Sequence, residues 1–366
     1  MKRRTTLHEQ MVKVLRSEVL SRFQAGDCLP TLSELAEQYD VSTSSIRSAL
    51  LTLAHEGLVT LRHGSGCYVT APVSPVTACI GIFTDLDLFG PLAYPFQHRV
   101  IGLLRSTLRE SGYEVRVYCG EEQWRQNPVE APYPEFVADV QAGRLAGVVA
   151  LPYSLLGQWL DVLRERELPV VHLDYTRRPG TVNLDYAALV RQGVAWLWEQ
   201  GCRRLALTGY GGGTLGKMGT TDCARIFAEE FAARGGDYQA EWVRVDLNPA
   251  LPGTGWSQFR ELWTAHTAKP DGLLITDDAL LPDVALAVRE LGVRVPDELQ
   301  VVTHFNRAVS AEVGWPAARL EFDPQTVAVA LAELLRRRLR GEVDAGAQVT
   351  LGPQLIRAGQ NTGVRV

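Results

Sequence analysis

Hydrophobic positions in the first seventy residues follow a helical period and then give way to short strand-like runs. Leu32, Leu35 and Ala36 form one apolar face directly after Thr31, and Thr31 with Glu34 makes a T-x-x-E capping box that opens a helix. Asp40-Val41-Ser42 breaks it. Ile46, Ala49, Leu50 and Leu53 then repeat at helical spacing in a second helix, which Ser42 caps with Ser45 three residues on, and Gly57 ends it. Leu58–Leu61 and Cys67–Val69 read as two strands joined through the tip Arg62-His63-Gly64-Ser65-Gly66. In the stretch from Ala71 to Ala78, Pro72 and Pro75 suppress helix and favour extended chain.

Beyond Ala78 the pattern alternates between buried strands and amphipathic helices. Strands are expected at 79–84, 113–118, 145–151, 168–173, 204–208, 242–246, 272–276 and 299–304. Helices are expected at 100–111, 187–200, 222–233, 256–266 and 282–291. Repeated strand–helix units of this length give parallel sheets with helices on both faces. About ten units over this stretch exceed one comfortable sheet, so two similar lobes are expected. The chain is therefore read as α/β, with domains at 1–71 and 79–366 and a linker at 72–78.

Composition narrows the function classes. The chain has 366 residues, 46% hydrophobic and 22% charged, which suits a globular protein of two or three domains. No run approaches the eighteen or so apolar residues of a membrane span, and the basic start MKRRTTLHEQ leads into an amphipathic helix instead of a signal sequence. A cytoplasmic location is expected. The 6 cysteines are scattered without a C-x-x-C pair and read as small buried residues of a reducing compartment. No zinc, other metal or cofactor is expected.

The net charge of -5 speaks against nucleic acid, but its distribution softens that objection. Residues 1–72 carry 8 Lys/Arg against 7 Asp/Glu, and the remainder carries 29 against 35. The second helix presents Ser42, Thr43, Ser44, Ser45 and Arg47 on its exposed start, a polar face that suits a DNA major groove. So few phosphate contacts per chain imply that a dimer supplies the affinity. A small helical domain that contacts protein is the alternative.

The block LPTLSELAEQYDVSTSSIRSAL, then LAHEGLV, then HGSGCYV resembles the winged helix-turn-helix domain of the GntR family of bacterial transcription regulators, without gaps from Gly26 to Val69. That resemblance implies DNA contact by Ser42, Thr43, Ser44, Ser45 and Arg47, with His63 and Gly64 at the wing tip. Ser33 and Thr43 stand where family members often carry Arg, so base recognition by arginine is reduced.

Residues 79–358 resemble the effector-binding core of the LacI/GalR regulators, itself related to periplasmic sugar-binding proteins. The resemblance rests on IGIF, ESGYEVRVY, LAGVVALP, LPVVHLDY, TVNLDYAALVRQGVAWLWEQGCRRLALTG, KPDGLLITDDALLPDVALAVRELGVRVPDELQVVTHFN and PQLIRAG. Together the two resemblances imply an arabinose-repressor-like regulator with a periplasmic-binding-protein-like core. By position they put Asp278 and Asn306 at two polar contacts for sugar hydroxyls, and Phe96 in a first-lobe loop facing the cleft. The family order is Asn then Asp, here reversed. An Arg ahead of the helix near Asp222 has no clean counterpart, because Lys217 and Arg225 are out of register. The stacking position near Leu247 lacks a ring, although Trp256 is close.

Weaker signals read as structure. Gly211–Gly216 satisfies G-x-G-x-x-G but opens no clear helix, and a loop at the cleft is the better reading. Arg336-Arg337-Arg338 with Arg340 reads as a solvated helix end. No nucleophile–base–orienter set can be assembled, so the chain is not expected to be an enzyme. The expected function is operator binding by a homodimer under control of a sugar-like small molecule, and the resemblance implies repression in preference to activation. The chain ends soon after Arg357 without a heptad segment, which disfavours a tetramer. A GntR-type head on an enzyme-like domain, or a binding protein without operator control, are the alternatives. The first would show a pyridoxal-phosphate absorbance band.

Overall fold

The computed structural model describes residues 11–12, 14–15, 23, 26–55, 59–62, 66–69, 78–84, 95–119, 134–151, 163, 166–174, 180–209, 222–245 and 253–358. The chain divides into two compact units, Met1–Ala78 and Cys79–Val366. Residues 71–77, most of the expected linker, lie outside the described residues.

In the first unit, α1 (Leu32–Gln38) begins as expected. Thr31 Oγ1 accepts the Glu34 N–H at 3.3 Å, and Glu34 Oε2 accepts the Thr31 N–H at 2.7 Å. That second bond draws the Glu34 carboxyl below its usual range. The helix α2 (Thr43–His55) follows a short turn that passes through Asp40 at φ 50°. Strands β1 (Val59–Arg62) and β2 (Gly66–Val69) pair antiparallel, Val59 opposite Val69. Cys28 adds an isolated bridge to Tyr68, and Leu29 N–H donates to Cys67 O at 2.7 Å. Met11, Leu15, Leu35, Ile46, Leu50 and Leu53 form the core of this unit.

The second unit holds two six-stranded sheets. The first has the order β13-β7-β6-β5-β3-β4, from β3 (Cys79–Thr84), β4 (Glu114–Cys119), β5 (Leu145–Ala150), β6 (Val170–Asp174), β7 (Thr181–Leu184) and β13 (Val349–Leu351). The second has the order β14-β12-β11-β10-β8-β9, from β8 (Leu205–Thr208), β9 (Val243–Arg244), β10 (Gly272–Ile275), β11 (Gln300–Asn306), β12 (Ala318–Phe322) and β14 (Gln354–Ile356). Every pair is parallel except β12 with β14. The expected alternation is therefore present, with β7, β12, β13 and β14 as further short strands.

Strand periodicity decides which helix covers which face. Leu273 and Ile275 of β10 point into a cluster with Phe259 of α7 (Thr254–Thr264) and Val284 of α8 (Leu281–Glu290), counting helices along the chain. Leu274 points the other way, against α5 (Tyr186–Glu199). A Cβ on Gly193 of α5 would lie 2.7 Å from Leu274 Cδ1, so glycine sets how closely this helix approaches the sheet. The remaining helices are α3 (Pro95–Glu110), α4 (Pro134–Gln141), α6 (Cys223–Ala232) and α9 (Pro324–Leu339).

Three crossings join the lobes. After β7 the chain enters α5, which packs on β10, β11 and β12 of the second sheet. After β12 it returns as α9, which packs on α3 and on β5, β6 and β7 of the first. After β13 it crosses again to β14. The first two crossings each place an aspartate at the cap of the next helix. Asp185 accepts the Ala188 N–H at 2.9 Å, and Asp323 accepts the Gln325 N–H at 2.9 Å. The Asp185 N–H donates to Leu351 O at 2.9 Å, which ties the first crossing to the third.

Candidate DNA-reading helix and effector cleft

Ser42 precedes α2 and accepts the Ser45 N–H on its Oγ at 3.1 Å. The same oxygen lies 2.7 Å from Ser44 Oγ and 2.8 Å from Ser45 Oγ. Ser42 and Ser45 thus serve the helix start, and Ser45 is half-buried. Thr43, Ser44 and Arg47 are exposed, while Ile46, Ala49 and Leu50 on the opposite face are fully buried. Ser48 and Leu51 extend the exposed stripe at i+4 and i+7 from Ser44, and the sequence reading missed both although their spacing marks them. His63 and Gly64 lie outside the described residues.

In the second unit, open parallel sheets gather ligand groups at the C-terminal ends of their strands. Asp278 opens a single helical turn, Asp278–Leu280, just past β10. Asn306 is the last residue of β11, because that strand runs two residues beyond the expected end at His304, and it is buried. Ser310 brings the two together. Its Oγ accepts the Asn306 N–H at 2.6 Å and donates to Asp278 Oδ2. On the other side of Asp278, His304 Nδ1 accepts the Asp278 N–H at 3.3 Å and lies 3.4 Å from Oδ1. The other nitrogen of the ring is Nε2. That nitrogen is buried without a hydrogen-bond partner among the described residues, as is Thr208 Oγ1 at the end of β8. Tyr186 and Phe322 flank the imidazole, with ring centroids 5.4 and 5.7 Å away.

Two carboxyl groups, Asp277 and Asp278, stand side by side at this edge. Burial and the neighbouring Asp278 raise the Asp277 carboxyl above its ordinary range, against the smaller opposing effects of His304 and the Ala279 N–H. Cys223, at the start of α6, is pushed up to about 12, chiefly by burial and then by Asp222. Carboxylates, an amide and hydroxyls in this arrangement accept and donate hydrogen bonds to a polyhydroxylated ligand. Asp174 ends β6 in the other lobe, a strand-end carboxylate that the sequence reading did not single out.

Phe96 departs from expectation. It sits in the first turn of α3, not in a loop, and it packs with Val100 and Leu104 in the lobe core. Arg225 is on the outer face of α6, 2.6 Å from Glu229 and 3.6 Å from Asp222, and Lys217 and Leu247 lie outside the described residues. Trp256 donates its indole N–H to Glu290 at 2.7 Å and carries Arg260 over its ring. The glycine run 211–216 also lies outside the described residues. Arg338 is half-buried and anchored, not a free helix end: its guanidinium donates to Val170 O and Ala345 O, and desolvation lowers its pKa. Among the cysteines, Cys28 is exposed and Cys119 half-buried, while Cys67, Cys79, Cys202 and Cys223 are buried. Among the described residues, no cluster of His, Cys, Asp and Glu could hold a metal ion, and no helix is long and apolar enough to cross a membrane.

Residues 7–69 match the family model of bacterial regulatory proteins, gntR family, and residues 194–359 match the periplasmic binding protein-like domain. Two curated relatives are similar over part of the chain. The HTH-type transcriptional regulator GalR of Streptococcus thermophilus is 21% identical over 179 residues, 48% of this chain and 52% of that protein. The arabinose metabolism transcriptional repressor of Geobacillus stearothermophilus is 35% identical over 109 residues, 28% of this chain and 29% of that protein. The chain thus spans about half the length of one and under a third of the other. Among solved structures, a complex of the transcriptional regulator CelR with cellobiose superposes with a TM-score of 0.61 at 19% identity, covering 91% of this chain and all of that one. A LacI family regulatory protein from Chloroflexus aggregans gives 0.62 at 16% identity, covering 78% and 99%. A LacI family regulator from Lactobacillus casei with bound sucrose gives 0.58 at 18% identity, covering 77% and 100%.

Proposed function

We propose that this chain, a gntR-type DNA-binding domain joined to a periplasmic-binding-protein-like core of the LacI/GalR kind, is a one-component transcriptional repressor whose operator affinity is set by a sugar-like molecule held between the lobes. The observation that carries the reading is the exposed stripe of α2, Thr43, Ser44, Arg47 and Ser48, within the gntR-type match and in one chain with a two-lobed core. The stripe meets DNA from the major groove, with His63 and Gly64 at the wing, while Asp278 and Asn306 hold ligand hydroxyls from the second lobe. Phe96 acts in this reading as packing beneath the first lobe's strand ends.

Only Arg47 supplies a full positive charge on the stripe, so one reader binds weakly and a homodimer on a two-fold operator is the working form. The protein acts in the cytoplasm, catalyses no reaction and requires no cofactor or metal. Ligand and DNA each alter the affinity of the other by the same factor.

Selection from a random duplex pool with the full-length protein tests this. The enriched duplex is then titrated by fluorescence anisotropy with and without arabinose, galactose, cellobiose and sucrose. An enriched two-fold-symmetric site, with one sugar shifting its affinity by about fivefold or more, is the expected result. Failure to enrich any duplex would remove the operator reading, and an enriched site indifferent to all four sugars would remove the sugar-effector reading.

A further inference from the structure

Arg307 follows Asn306 directly, and its guanidinium reaches three acceptors on two segments. Nε lies 3.1 Å from Glu321 Oε2 on β12, Nη1 lies 3.2 Å from Asp323 Oδ2 at the second crossing, and Nη2 lies 3.1 Å from Gln354 Oε1 at the start of β14. Its backbone N–H donates to Phe322 O at 2.9 Å. Glu321 is buried, and its other cation, Arg319, stands 3.9 Å away and is itself engaged by Glu312. Asp323 uses its second oxygen to cap α9, the helix that packs on the opposite lobe. One planar fork therefore fixes the strand end that carries Asn306 to the second and third crossings. The Asp185 N–H to Leu351 O bond adds the first crossing to the third.

We infer that Arg307 is a positioning residue that holds the second and third crossings as one pivot and carries ligand occupancy at Asn306 into the angle between the lobes. This rests on the reading of the cleft as the effector site. A ligand that draws on Asn306 moves the end of β11, and the guanidinium moves Asp323 and Gln354 with it. Lysine cannot replace it, because a point charge reaches one of the three acceptors.

Hydrogen–deuterium exchange on the full-length chain without ligand tests the pivot. The variant Arg307→Met with Glu321→Gln leaves no buried carboxylate unpaired, and Arg307→Lys tests the fork. In both, peptides over 319–326 and 349–356 should exchange about tenfold faster, the loss expected for charge-assisted hydrogen bonds. Peptides over β5 and β10 should keep wild-type rates. Wild-type rates at the crossings, uniform acceleration across both lobes, or full protection in Arg307→Lys would each overturn the inference. Should the double variant fail to fold, Gln354→Leu removes one acceptor alone. It should accelerate 349–356 selectively, and unchanged exchange there would overturn the pivot. With no ligand in the sample, these outcomes are independent of whether the cleft binds a sugar.

Discussion

Ser310 Oγ accepts the backbone N–H of Asn306 at 2.6 Å, and the same hydroxyl donates to Asp278. The strand end that carries Asn306 and the carboxylate of Asp278, both proposed for the effector, are thus joined through a residue in the turn that follows β11, whose own N–H donates to Asn306 O at 2.9 Å. Ser310→Ala should leave the Asn306 N–H unpaired at a buried strand end and destabilise the core by about 1–3 kcal/mol. It should also weaken the sugar identified by operator titration, since Asp278 loses the donor that fixes its rotamer. Thermal unfolding and calorimetry on the same sample check both effects. Unchanged stability would mean that water replaces the hydroxyl at no cost.

Asp278→Ala tests the ligand contact itself. A hydroxyl left unpaired in a closed cleft costs about 1–3 kcal/mol, so sugar affinity should fall about tenfold or more. Operator affinity without sugar should stay at the wild-type value, because Asp278 belongs to the other compact unit. Wild-type sugar affinity in calorimetry would remove Asp278 from the site.

Local signals were legible in the sequence, and long-range ones were not. The Thr31–Glu34 box and the Ser42 cap depend on residues three apart, and both appear as read. The parallel strands were legible because apolar runs between amphipathic helices leave few other folds. Phe96 was placed in a loop by resemblance alone, whereas the helix begins at Pro95, a residue favoured in a first helical turn, and takes Phe96 with it. β7 and β12 escaped because Thr181 and Asn183 in one, and Arg319 and Glu321 in the other, interrupt the apolar run that marks the equally short β8 and β10. Arg338 looked solvated within its arginine run because its acceptor at Val170 is 168 residues away. Arg307 escaped notice for the same reason: its acceptors lie 14, 16 and 47 residues on.

Acid sensitivity of the first lobe should trace to Asp139. Burial raises its pKa, but hydrogen bonds from Tyr118 at 2.5 Å and from Arg116 and Arg144, each at 2.6 Å, outweigh that and hold it at about 2. A folded-state pKa below the ordinary value stabilises the native state at neutral pH. That contribution is complete above about pH 4 and is lost as pH falls toward 2. Asp139→Asn should lower stability at pH 7 by about 1.5 kcal/mol, the low end for charge-assisted bonds because both arginines are half exposed. Its deficit against wild type should shrink below pH 4. Urea midpoints at pH 7 and pH 3 measure both; an equal deficit at the two values would show that the carboxylate charge is not the cause.

Arg47 is exposed on the stripe that α2 presents, one helical turn from Thr43 and Ser44 and adjacent to Ser48. Arg47→Ala should weaken operator binding by about 1–3 kcal/mol if the guanidinium meets a guanine edge, with the loss concentrated on duplexes that carry that base. If it meets phosphate, the loss should be nearly uniform across sequences and the salt slope should fall by about one. Ser48→Ala probes the same face four residues from Ser44 without removing charge, so its effect should be smaller and independent of salt. Titrations of matched and single-base-changed duplexes at two salt concentrations separate these outcomes. Full wild-type affinity in Arg47→Ala at both salts would mean that α2 does not enter DNA by this face.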